Sequence, residues 1–474
     1  MSTQLRTRPV FIVGAPRSGT TLLRSVLDAH PHIACPTWET GLFDRMVLQR
    51  GVRHTVTLAT PDRGDVFQRV GRVWKRIGRA PRFTLAPLPV GGPHTIALEI
   101  RQAGRTTDRL TIRDVLVGDV WIAGGQSNMQ GHGRRVFAAK PHPLVRAFYM
   151  DDQWRVARDP IHNLDACVDQ VHLDLNGGVR IVPKTTHGVG PAVAFAQEMR
   201  RLTGVPQGVI ACAHGGTSMR QWDPARRDEG GKSLYGASYR RLQTNGGHVA
   251  GVIWYQGESD ANATDAPQYT ERMKKIIAAF RRDAGDPRLP FALVQLARVT
   301  SFDDATGSHW NAVQFQQLQL QQRLPRVAVV PAVDLTLDDP IHIAGASMER
   351  LGRRLANAMH ALRTGRGPLP ILPGRHRVRT DSGTGQAILE IPFHNVAGRL
   401  VSGSRPTGFR VSGNSAVTVV DVRLVGVTAH VLLSAKPLHV TGAKIQYGRG
   451  ADPYCNITDE ADRALPVFGP ILIG

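Results

Sequence analysis

Four short stretches of this chain carry side chains that chemistry can use. Val120 to Met129 is an apolar run ending in a turn that presents one serine, Ser127. Gly215-Gly216-Thr217-Ser218, Trp254-Tyr255-Gln256-Gly257-Glu258-Ser259-Asp260 and Asp339-Pro340-Ile341-His342 follow in that order. A serine hydroxyl is a poor nucleophile until an imidazole takes its proton and a carboxylate orients that imidazole. Taken alone, Ser127 reads as a helix N-cap. The later blocks supply what a nucleophile needs. Asp339 and His342 stand at i and i+3 after the apolar run Val327 to Val333, a spacing that puts carboxylate and imidazole on one side of a turn. Asp338, Asp334 and Glu258 rank behind Asp339 as the orienting acid, in that order. Gly215 and Gly216 permit close backbone approach to a substrate carbonyl and offer an N–H donor. Gln256 offers a side-chain amide. One such donor to a developing oxyanion contributes about 3–4 kcal/mol. The plainer readings are an ordinary strand-to-helix turn for the glycines, and core packing for Trp222 and Trp254.

The elements that must hold these groups follow from periodicity. Short apolar runs at Asp119 to Ala123, Gly208 to Ala213, Val249 to Trp254, Phe291 to Leu296 and Arg326 to Val333 alternate with helical spacing over 190–202, 268–281, 311–321 and 345–362. That pattern predicts an α/β region over 113–362 with a parallel sheet covered on both faces. Residues 49–112 alternate at period two, as in His54 to Leu58 and His94 to Ile100, and predict a β-rich region. Beyond the Gly/Pro-rich linker Gly365 to Pro370, residues 363–474 predict a small β-sandwich.

At 474 residues the chain is expected to hold roughly two to four domains. It has 42% hydrophobic and 20% charged residues, and no apolar run near the ~20 residues of a membrane span. No export signal is visible after Met1, which predicts a cytoplasmic protein with no membrane partner. The net charge of +21 and pI near 10.8 raise a nucleic-acid reading. Yet the densest basic cluster, Arg69, Arg72, Lys75, Arg76, Arg79 and Arg82, has only Trp74 among it, so a solvated basic face is preferred to a polyanion site. Cys35, Cys167, Cys212 and Cys455 form no CxxC pair, which indicates neither zinc nor a redox motif. Oligomeric state is not legible.

With those blocks in view, the chain resembles the sialate O-acetylesterase family of SGNH hydrolases. The likeness rests on Gly125 to Met129, on Gly215 to Ser218 with Trp222, on Trp254 to Asp260 and on Asp339 to His342. In the tail it extends to Gly450 to Ile457 and Leu465 to Phe468. It covers the chain from about residue 50 to the end. The resemblance implies an SGNH, flavodoxin-like, three-layer α/β/α domain, no metal or cofactor, and removal of O-acetyl groups from an acetylated carbohydrate. It further implies Ser127 as nucleophile, His342 as base and Asp339 as orienting acid, with oxyanion donors at the N–H groups of Ser127 and Gly216 and at Gln256. Gly215, Glu258 and Trp222 are expected around the substrate, and either Gln256 or Glu258 does the positioning.

The first 48 residues differ. Phe11 to Leu23 contains Arg17-Ser18-Gly19-Thr20-Thr21 after an apolar run, the pattern of an anion-cradling loop opening a helix. It lacks the Gly-Lys-Ser/Thr of a Walker loop. It resembles the 5′-phosphosulfate loop of PAPS-dependent sulfotransferases through Glu39 to Phe43, then stops. A remnant is expected rather than a second active site. The alternatives to an esterase are a PAPS-binding sulfotransferase or bifunctional fusion, and a glycan-binding protein without catalysis.

Overall fold

The computed structural model describes residues 9–13, 46–59, 63–180, 186–300 and 303–473. Seven strands form the sheet that carries the candidate site: β1 (Arg105–Gly125), β2 (Val145–Phe148), β3 (Trp154–Val156), β4 (Gln207–Ala211), β5 (Gly251–Tyr255), β6 (Phe291–Gln295) and β7 (Val327–Pro331). Their spatial order is β3-β2-β4-β1-β5-β6-β7, all parallel except the edge strand β3. Every residue of β4 to β7 is buried. That is why these strands read as unbroken apolar runs: helices cover both faces.

On one face α2 (Pro191–Thr203) packs against α6 (Gly345–Thr364). Gly352 lets the two helices close, since a Cβ there would sit 2.7 Å from the Phe195 amide nitrogen. On the other face lie α3 (Leu234–Thr244), α4 (Tyr269–Asp283) and α5 (Asp304–Arg323). Two tryptophans mark the two sides. Trp121 meets Phe195 of α2, while Trp254 meets Phe280 of α4. The register sets Ala211 beside Ala123, and Gly125 beside Tyr255. The loops after β1, β4 and β5 therefore leave the sheet along one edge, where ligands sit in open α/β sheets.

The β-rich region before residue 113 is not separate from this sheet. Its strands Asp65–Val70, Val73–Arg79 and Gly91–Gln102 are antiparallel and pair onward to the first half of β1. The expected boundary at 112/113 falls inside that strand. Asp119, fully buried on β1, takes Arg50 on one side and Arg363 on the other, tying the leading segment to the end of α6. The strand Pro9–Val13 pairs in parallel with Thr55–Ala59.

After residue 365 the chain is all β, with one five-stranded, one three-stranded and one two-stranded sheet. Phe393, Phe409, Tyr447 and Phe468 fill their common core, which also takes in Leu318 from α5 and Val333 from the loop just after β7. Among the described residues no helix is long and apolar enough to cross a membrane, and the three cysteines there are free.

Candidate active site

The serine turn follows from two close approaches. Gly125 adopts φ +127°, and a Cβ there would lie 2.0 Å from the Tyr255 carbonyl oxygen, so only glycine lets β1 and β5 run this close. Gln126 then donates its N–H to Tyr255 O at 2.8 Å and opens α1 (Ser127–Gln130). First-turn N–H groups have no acceptor within their helix, and that of Ser127 is among them. Ser127 is 6% exposed. Beside it lies Gly215, whose N–H donates to Gln130 Oε1 at 2.7 Å. A Cβ on Gly215 would come within 3.3 Å of Ser127 Cβ, whereas Gly216, at φ +68°, faces open space.

Asp339 and His342 stand together in the loop after β7. Asp339 Oδ1 accepts the N–H of Ile341 at 2.9 Å and of His342 at 2.8 Å, and Oδ2 lies 2.7 Å from His342 Nδ1. Burial pushes the Asp339 carboxyl up, but these N–H donors and the imidazole outweigh it and hold it below its ordinary value. A neutral imidazole donating from Nδ1 keeps its lone pair on Nε2, the atom a base needs. The other acids are engaged elsewhere. Asp338 Oδ2 accepts from the amides of Arg134 and Gly345 at 3.1 and 3.0 Å. Asp334 is held by Arg354 and Arg350.

Asn128 joins these two halves. Its Nδ2 donates to Ile341 O at 3.3 Å, its Oδ1 accepts the Ile343 N–H at 2.9 Å, and so the residue after Ser127 grips His342 from both sides. The same Nδ2 donates to Glu258 Oε1 at 2.8 Å. Glu258 is 8% exposed, and its Oε2 is buried without a hydrogen-bond partner. Burial raises its carboxyl to about 7, against the opposing pull of the Asn128 amide. Glu258 therefore supports the Asn128 brace, and Asp339 holds His342.

Gln256 and Trp222 both lie buried around the Gly215–Ser218 turn. The Gln256 amide nitrogen lies 2.5 Å from Asp260 Oδ2 and 3.0 Å from Thr217 O, and the side chain is fully buried. The Thr217 bond ties the third block to the second, the Asp260 bond stays within the third, and the same nitrogen lies 3.3 Å from Gln126 Oε1 in the serine turn. Trp222, also fully buried, donates to Thr217 Oγ1 at 3.0 Å and meets Trp254 edge-on at 5.0 Å. It backs the Gly215–Ser218 turn from the core side.

Three features escape a reading by motif. Asn128 sat in the serine motif with no role attached. The ring of His132 stacks on that of His342, 4.0 Å between centroids and 9° between planes. Beneath the Gly215 turn, His172 and His214 share one hydrogen bond between their Nδ1 atoms at 2.9 Å. His162 donates from Nε2 to Ala123 O at 3.3 Å. Burial drives the imidazoles of His162 and His214 down to about 4, and lowers His172 as well, with the neighbouring His214 adding to it. The expected anion loop, Arg17, Ser18, Gly19, Thr20 and Thr21, lies outside the described residues.

Residues 117–361 match the family described as carbohydrate esterase, sialic acid-specific acetylesterase, a span just over half of the chain. The chain belongs to that family. Membership makes it a carboxylic ester hydrolase. A probable carbohydrate esterase of Arabidopsis thaliana is 29% identical over 262 residues, covering 50% of this chain and 89% of the relative. The sialate O-acetylesterase of Homo sapiens is 26% identical over 283 residues, 53% of this chain, and the match spans only about half, 54%, of that relative's length. The crystal structure of a carbohydrate acetylesterase from Xanthomonas citri superposes with TM-score 0.67 at 24% identity, over 92% of this chain and 99% of that one. That likeness establishes the SGNH-type fold across the family domain and the β-rich regions around it. Residues 9–70 separately match a sulfotransferase family.

Proposed function

We propose that this chain removes O-acetyl groups from carbohydrate through an acetyl-enzyme on Ser127. The observation that carries the reading is the Asn128 brace. It sets the residue after Ser127 against the backbone on both sides of His342, whose Nδ1 is already taken by Asp339.

In this reading Ser127 Oγ attacks the acetyl carbonyl carbon while His342 Nε2 takes the hydroxyl proton. The carbonyl oxygen gains the negative charge and is met by the N–H groups of Ser127 and Gly216, both on turns held rigid from behind. Collapse breaks the ester C–O bond, and His342 returns its proton to the departing sugar hydroxyl. A water molecule then repeats the sequence on the acetyl-serine and releases acetate. Asp339 stays ionised, keeps His342 in its Nδ1–H tautomer and stabilises the imidazolium. The open space in front of Gly216 supports an acyl group entering there. Gln256 and Glu258 are braces in this scheme, and neither touches the reacting atoms.

In this reading the catalytic unit is the α/β sheet with its helices up to residue 362, joined at β1 to the β-rich region before it, and the β tail after it buttresses it. Acetate release from acetylated glycans, and hydrolysis of p-nitrophenyl acetate, are expected from the wild type. Ser127→Ala is expected to lower either rate by at least about a thousandfold. Turnover by Ser127→Ala within tenfold of the wild type would sink the proposal.

A further inference from the structure

We infer that His132 is a positioning residue for the base, its ring acting as a flat wall against which His342 is held and charged. The inference rests on the assignment of His342 as base. A ring bonded only at Nδ1 can still swing about that bond. Asp339 fixes one edge of His342, and the stacked ring of His132, 4.0 Å away and within 9° of parallel, removes the remaining freedom. When His342 takes the serine proton it becomes a cation lying over a π face, an arrangement that stabilises positive charge.

The backbone that carries His132 is unusually fixed. A Cβ on Gly131 would come within 2.5 Å of Gly188 O, and one on Gly133 within 2.6 Å of Gly345 Cα. Both flanking positions thus run flush against other segments, and His132 is the side chain between them. The next residue is tied to the base's own loop: Asp338 Oδ2 accepts the Arg134 and Gly345 amides together. Asp338 N–H in turn donates to His342 O at 2.9 Å. The wall and the ring it supports are therefore parts of one hydrogen-bonded frame, and Ser127 begins the short helix that leads into His132.

Replacing the ring separates a wall from a chemical group. His132→Ala is expected to lower kcat on p-nitrophenyl acetate about tenfold, the size of a lost ring–cation contact, with KM within about twofold of the wild type. His132→Phe keeps a flat face without ring nitrogens and is expected to recover most of the lost kcat. If His132→Ala stays within twofold in kcat, or raises KM while kcat holds, the inference is wrong. A folded His132→Phe as slow as the alanine variant also refutes it, because the nitrogens rather than the face would then matter. Should the alanine variant fail to fold, the phenylalanine variant decides alone. Parallel assays of Ser127→Ala and His342→Ala keep the two claims apart: if both retain activity the base assignment has failed, and if both are inactive while His132→Ala is normal, only the wall has.

Discussion

The side chain next to Ser127 makes three hydrogen bonds, and each lands on a segment that holds another part of the candidate site. Asn128 reaches Ile341, Ile343 and Glu258, so the serine turn, the base loop and the third block move as one. Glu258 ends this chain of contacts with a buried oxygen that nothing bonds, and burial raises its carboxyl from 4.5 to about 7. A carboxyl whose folded value is raised gives stability that is complete below its unfolded value and lost as pH climbs through the folded one. Glu258→Gln keeps an acceptor for Asn128 but removes the titration. Its melting temperature is therefore expected to match the wild type near pH 4.5 and exceed it above pH 8. An equal offset at both pH values would contradict this. The sequence offered Ser127, His342 and Asp339 as candidates because each motif is local, and the structure sets Asp339 against His342. The Asn128 brace was not legible there, because its partners lie 130 to 215 residues away. The Gln256 donor was expected from its place after a strand, and its amide nitrogen lies 2.5 Å from Asp260 Oδ2 four residues on.

At the level of elements, the strand ends position the site and buried histidines sit beneath them. The parallel sheet was legible because β4 to β7 are apolar along their whole length, the mark of a strand covered on both faces. The join between the β-rich region and the catalytic sheet was not, since the first half of β1 alternates while the second half is continuous, and the pattern changes within one strand. The loop after β4 rests on His214, which shares a proton-bearing bond with His172, and His162 lies nearby against the end of β1. Imidazoles with lowered folded values contribute stability present above about 6.5 and lost as pH falls toward 4. Full protonation of one such group costs on the order of 3 kcal/mol. The melting temperature is accordingly expected to fall between pH 6.5 and 4, with a shallower slope in His172→Gln. An unchanged slope in that variant would show the acid lability to come from carboxylates instead.

Over the whole molecule, the β tail and the catalytic unit share core and polar contacts alike. Gln295 at the end of β6 exchanges two hydrogen bonds with the backbone of Val467. Val299 donates to Ala451 O at 2.9 Å, and Thr300 beside it donates to Pro340 O at 2.8 Å, so the tail reaches the acid loop through one intermediate segment. Arg354, 4% exposed, holds Asp334 by two bonds of 2.8 Å and the Asp462 carbonyl oxygen by one of 2.6 Å. Removing the guanidinium leaves buried Asp334 with Arg350 alone and the Asp462 carbonyl oxygen without this donor, and breaking a buried pair is costly. Arg354→Ala is expected to destabilise the protein by about 3 kcal/mol in chemical denaturation, and a loss below about 1 kcal/mol would contradict the role given to it. The linker rich in glycine and proline marked where the tail begins; the core it shares with Leu318 and Val333 lies in side chains whose partners no local pattern reveals.

The central claim is that Ser127 carries the acetyl group, and mass spectrometry of peptides after brief mixing with p-nitrophenyl acetate and acid quenching tests it most directly. The account predicts one acetyl group on the peptide containing Ser127, its amount rising within the first turnover and absent from Ser127→Ala. An active enzyme that never acetylates that peptide, or a Ser127→Ala protein that hydrolyses the ester at the wild-type rate, would contradict it.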